Sequence, residues 1–121
     1  MAAHLKQIER VNPKVNAIVT LVADQAIETA RRADEVQAQG KNLGPLHGLP
    51  VVHKDLFETA GIRTTFGSLI FKDNIPKGDA IIVERINRAG TVTVGKSNTP
   101  EFGTGSQTFN AVFGSTKILT I

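Results

Sequence analysis

The amino-acid sequence predicts an α/β fold, on three observations. Residues 79–94 read as a helix, a glycine stop and a strand; residues 16–39 read as a strand followed by a helix; and residues 43–57 bring a short β-branched run out of a turn rich in Gly and Pro. Alternation between the 3.6-residue and two-residue periods is the rhythm of a sheet flanked by helices.

Taken in order, residues 3–11 place Leu5, Ile8 and Val11 at helical spacing, and Asn12-Pro13 is expected to close that helix. Residues 16–21 form a β-rich strand. Residues 24–39 place Ala26, Ile27, Ala30 and Ala33 on one helix face, with acid early, an N-terminal cap and Gly40 as the stop. The turn carrying Gly44, Pro45, Gly48 and Pro50 then delivers a strand that ends on Lys54. Residues 59–74 form a long loop of functional or well-packed character. Asp79 is expected to cap a helix through Ala89 with Ala80, Ile81, Val83 and Ile86 inward; Gly90 stops it, and residues 91–94 form a strand. Residues 96–116 are polar and glycine-rich, punctuated by Phe102, Phe109 and Phe113, as suits a loop pinned by aromatics beside a cleft. Residues 117–121 turn apolar.

At 121 residues the chain is the size of one domain. Net charge is +3, from 14 Lys and Arg against 11 Asp and Glu spread along the chain, which argues against nucleic acid or an anionic membrane as direct partner. There is no Cys, hence no disulfide framework and no thiolate nucleophile. No apolar stretch has signal-peptide or membrane-spanning length, and the expectation is a soluble, cytoplasmic protein.

Lys54 is the residue that most resembles chemistry. Enclosed by Val51, Val52, Leu56 and Phe57, it could be desolvated into a usable neutral base; the plainer reading is a strand-end lysine paired with Asp55 or another carboxylate. Strand alternation leaves that pair open, since neighbouring residues face opposite sides. The run Gly90-Thr-Val-Thr-Val-Gly-Lys-Ser97 satisfies the phosphate-loop pattern but reverses its context, with a helix before it and a strand within it. His47 and His53 read as ordinary hydrogen-bonding residues rather than metal ligands. Ser68, Ser97, Ser106 and Ser115 sit in no nucleophile-elbow context and read as loop hydroxyls.

Read together, Gly44-Pro-Leu-His-Gly-Leu-Pro-Val-Val-His-Lys-Asp55, Thr59-Ala-Gly-Ile-Arg-Thr-Thr-Phe-Gly-Ser68 and Gly95-Lys-Ser-Asn-Thr-Pro-Glu-Phe-Gly103 resemble the amidase signature family. Asn12-Pro-Lys-Val-Asn-Ala17 and Asn110-Ala-Val-Phe-Gly-Ser-Thr116 extend the likeness in the same order. The resemblance implies a large mixed sheet flanked by helices and hydrolysis of carboxamides by a Ser, cis-Ser, Lys triad. By position Lys54 matches the triad lysine, Gly103, Thr104, Gly105 and Ser106 match a substrate-binding loop, and Lys96 belongs to a structural block rather than acting as a second base. No metal or organic cofactor is implied.

The family's glycine- and serine-rich segment, source of both serines, is expected just after residues 110–116, where this chain reads Ile-Leu-Thr-Ile instead. The expectation is therefore one partial domain, residues 1–121, matching the N-terminal portion of an amidase and inactive alone. A small-molecule amide is the expected substrate of the complete enzyme, either in a stand-alone hydrolase or in the subunit that releases ammonia from glutamine for charged transfer RNA. The contrasting expectation is a non-catalytic assembly module on half a scaffold, self-associating through exposed sheet edges.

Overall fold

A computed structural model describes residues 1–118. Its elements in chain order are α1 (Ala2–Val15), β1 (Ile18–Leu21), α2 (Ala23–Ala38), β2 (Pro50–Lys54), α3 (Ile81–Arg88), β3 (Val92–Ser97), β4 (Phe109–Asn110) and β5 (Gly114–Ser115). The main sheet has the order β1-β3-β2, with β1 antiparallel and β2 parallel to β3, so it is a mixed sheet with β3 at its centre. β4 and β5 form a separate two-stranded ribbon. The apolar change expected over residues 117–121 lies largely outside the described residues.

The core forms where α1 and α2 meet the sheet. Ala26, Val92 and Val94 are buried together, and Met1, Leu5, Ile8, Ala30 and Val52 pack against them. Small Ala residues at positions 26 and 33 let α2 lie close to the strands. Ile27, expected inward, is exposed, because Ala26, Ala30 and Ala33 already define the buried stripe and Ile27 sits on its flank. In α3, Val83 is fully buried, whereas Ile81 is 68% exposed. Two residues along a helix is about 200° of rotation, so Ile81 and Val83 cannot share the inward face.

Four boundaries differ from expectation. α1 runs through Pro13 and ends at Asn16, whose left-handed backbone (φ 53°) caps it with an N–H to the Asn12 carbonyl at 2.7 Å. The Asn12 side chain then accepts from the Ala17 and Ile18 amides (2.9 and 2.8 Å) and donates to the Ile18 carbonyl (2.8 Å), which joins helix to strand. Neither Asp24 nor Asp79 is a helix cap: Val22 and Ala80 hold those positions, and the Asp79 carboxylate instead accepts from the Ala60 amide at 2.6 Å. β3 continues past Val94 to Ser97 because β1 and β2 pair on both its sides.

Gly95 is required by that pairing. A Cβ at residue 95 would stand 2.1 Å from the Thr20 carbonyl oxygen of β1. Gly90 (φ 95°) ends α3 beneath Leu43. The glycines of the phosphate-loop look-alike thus serve close packing, and the run is strand from Val92 onward.

Candidate active site at the carboxyl end of β2

β2 and β3 run parallel and end level, Lys54 opposite Ser97, so the loops that follow them leave from the same edge of the sheet. The strand alternates as its period demands. His53 and Asp55 are buried at 4% and 1% exposure, and Lys54 between them is exposed on the opposite face. The expected enclosure of Lys54 is therefore corrected: Val51, Val52 and Leu56 are only half-buried and Phe57 is exposed. Nor is Asp55 its ion-pair partner, because that carboxylate turns inward.

Asp55 accepts from the backbone amide and the hydroxyl of Thr65, and its own carbonyl accepts from the Phe66 amide at 2.9 Å. Burial pushes its carboxyl above the ordinary range, while the two Thr65 bonds pull it back. Thr65 in turn accepts from the Gly67 amide at 3.1 Å. The loop of residues 59–74 is thus well packed, with Thr59, Ile62, Thr64, Thr65 and Ser68 buried. Burial likewise lowers the His53 imidazole, whose Nε2 lies 3.1 Å from the Thr93 hydroxyl. His47 accepts the Leu43 amide at Nδ1 (2.9 Å), and Ser68 accepts from the Ile70 amide, which are the ordinary roles expected of them.

The enclosed lysine is Lys96 of β3, with no exposed surface. Its Nζ donates to the Phe57 carbonyl (2.6 Å) and to the hydroxyls of Thr59 (3.0 Å) and Thr64 (2.8 Å). Burial lowers its pKa to about 8, opposed chiefly by the Asp55 charge, so it remains an ammonium at neutral pH.

The second predicted element, residues 103–106, begins at a kink. Phe66 (φ 55°) and Phe102 (φ 51°) both adopt left-handed backbone, stack at 6.4 Å, and are joined by the Phe102 amide donating to the Phe66 carbonyl at 2.7 Å. Phe71 packs edge-on against both. This aromatic contact ties the two loops, and it sets Gly103 (φ 72°) so near Leu56 that a Cβ would stand 2.9 Å from Leu56 Cδ1. Thr104, Gly105 and Ser106 line an open cleft of about 590 Å³ with Pro100, Glu101 and Asn110. Lys54 does not line it, so the described residues bring Gly103 next to the Lys54 turn without joining lysine and cleft in one cavity. Of the expected aromatic pins, Phe102 serves, whereas Phe109 is 62% exposed and Phe113 lies under Arg63, whose guanidinium carbon is 4.9 Å from the ring centre.

The periodic pattern alone does not mark Asp55 and Lys96 as buried. The available signal is the cluster Thr59, Thr64 and Thr65, which follows Asp55 in the chain and precedes Lys96, hydroxyls suited to satisfying buried charge.

Residues 1–118 match the family model described as Amidase. The chain is 46% identical over 115 residues to the A-type subunit of the glutamyl-tRNA(Gln) amidotransferase of Acidothermus cellulolyticus, covering 95% of this chain and 23% of that protein. It is 41% identical over 114 residues to an acylamidase of Rhodococcus erythropolis, covering 94% and 24%. Among solved structures, the native peptide amidase of Stenotrophomonas maltophilia superimposes with a TM-score of 0.83 at 31% identity, over 96% of this chain and 25% of that one. The mixed sheet, its flanking helices and this match place the protein in the class of amidase-signature α/β proteins. The chain belongs to the Amidase family, and it spans about a quarter of the length of these relatives.

Proposed function

We propose that Lys54 is the general base of a serine-dependent amide hydrolase acting on a carboxamide. The observation that supports this best is position: within a chain of this family, Lys54 stands at the carboxyl end of β2, level with the end of its parallel neighbour. Ligands of α/β sheets bind outside the carboxyl ends of the strands, where the following loops gather. In the proposed reaction the Lys54 amine takes the proton of a bridging serine, which takes that of the nucleophilic serine as it attacks the amide carbonyl; the C–N bond breaks as a proton returns through the bridging serine to the departing amine, and water then hydrolyses the acyl-serine to the acid and the free serine. Both serines belong to the family's glycine- and serine-rich segment, which no part of residues 1–121 matches. Residues 103–106 border the acyl group, with glycine permitting its close approach to the backbone.

In the intact protein Lys54→Ala is expected to lower amide hydrolysis by about a thousandfold or more while the fold persists. Wild-type turnover in that variant refutes the assignment. A fluorophosphonate should label a serine of the intact protein but none within residues 1–121; label on Ser97 or Ser106 would overturn the serine assignment.

The identity to A-type amidotransferase subunits supports a second reading, in which the amide is that of glutamine and the ammonia passes to charged transfer RNA. Ammonia release from glutamine, compared with release from unrelated carboxamides, separates the two.

A further inference from the structure

We infer that Lys96 is a positioning residue for Lys54: its buried ammonium grips the carbonyl at the end of the Lys54 turn and so fixes where the base stands. This rests on the reading of Lys54 as base.

The directions of the hydroxyl hydrogens decide what Lys96 must be. The Thr59 hydroxyl donates to the Phe57 carbonyl at 3.0 Å, and the Thr64 hydroxyl donates to the Ile62 carbonyl at 3.0 Å. The third neighbour of Nζ, the Phe57 carbonyl, can only accept. All three partners therefore accept from Lys96, and the cage fits a group with three protons. Among the described residues no carboxylate touches it, because Asp55 is engaged by Thr65. A buried cation held only by neutral oxygens is costly, and a turn ordered by those bonds is the compensating gain.

The ordered segment is the one that carries Lys54. The Phe57 amide donates to the Lys54 carbonyl at 2.9 Å, closing a turn over residues 54–57, and the Phe57 carbonyl is held by Lys96. On the strand side Lys54 pairs with Ser97, the neighbour of Lys96. One side chain of β3 thus clamps the far end of a turn whose near end β3 already pairs. The Lys54 amine is exposed, so its placement follows from the backbone beneath it.

The test compares Lys96→Met, Thr64→Val and Lys54→Ala in the intact protein. In Lys96→Met, kcat for amide hydrolysis is expected to fall about tenfold to a hundredfold with KM within about twofold, the signature of a misplaced catalytic group. Thr64→Val, which removes one acceptor, should show a loss of about threefold to tenfold in the same sense. Wild-type activity should also decline as pH rises through about 8, where the third proton leaves, and that limb should vanish in Lys96→Met. Asp55, Asp79, Glu58 and His53 are the other titratable groups that act on Lys96, so the limb is assigned by its disappearance in the variant.

A folded Lys96→Met with wild-type kcat and an unchanged alkaline limb overturns the inference. If that variant does not fold, Thr64→Val decides on the same terms, and wild-type kcat there overturns it. Activity in Lys54→Ala overturns the reading of the base instead. Amide exchange at Phe57 then still reports on the clamp: about tenfold faster exchange in Thr64→Val supports it, and unchanged exchange refutes it.

Discussion

Replacing Asn12 by Ala tests how α1 is joined to the sheet. The side chain makes three hydrogen bonds at 2.8–2.9 Å, two from the Ala17 and Ile18 amides and one to the Ile18 carbonyl. Three such bonds at about 1 kcal/mol each give a loss of about 3 kcal/mol. Alanine returns about 0.5 kcal/mol of helix propensity, and water replaces part of the remainder because Ala17 and Ile18 are only half-buried. The expected net cost is about 2 kcal/mol, or roughly thirtyfold in a local opening equilibrium. Native-state hydrogen exchange reads it at the Asn98 amide, which donates to the Ala17 carbonyl at 2.9 Å and so opens with this junction. Acceleration of less than about threefold there would mean that the Asn12 clasp does not hold helix to strand, and the reasoning would fail.

Gly95→Ala places a methyl 2.1 Å from the Thr20 carbonyl oxygen, backbone that cannot rotate away, so a loss of about 3 kcal/mol is expected in urea unfolding, with exchange at β1 amides rising most. Val83→Ala leaves a cavity under α3 at a fully buried position and should cost about 2 kcal/mol by the same assay. For Asp55, burial raises the folded carboxyl above its ordinary 3.8, so the folded state keeps a proton that the unfolded state has lost. Stability should therefore fall as pH rises from about 4 through the raised value, and Asp55→Asn should flatten that slope; an unchanged slope would contradict the assignment.

The α/β order was legible because it rests on local patterns, namely apolar residues at helical spacing in α1 and α3, a β-branched run in β2, and glycine at Gly40 and Gly90; the mixed sheet was expected only from the family resemblance. What escaped was set by contacts distant in sequence. Pro13 reads as a stop, yet α1 passes it because Asn16 supplies the cap and Asn12 the onward bonds. Asp79 reads as a cap, yet its carboxylate is taken by Ala60, 19 residues away. Lys54 and Lys96 were the harder case. Apolar neighbours in sequence suggested a dry Lys54, but in a strand those neighbours alternate sides, and burial went to the lysine of the central strand.

The cage around Lys96 also has a kinetic meaning. Because the hydrogens of Thr59 and Thr64 already point to the Phe57 and Ile62 carbonyls, no neighbour of Nζ can hand its own proton onward and receive another. The ammonium has no exposed surface, and its three partners are the Phe57 carbonyl and the Thr59 and Thr64 hydroxyls. Lys54, one strand away, is exposed. Of these two lysines on neighbouring strands, one meets solvent and the other is enclosed among oxygens that only accept its protons.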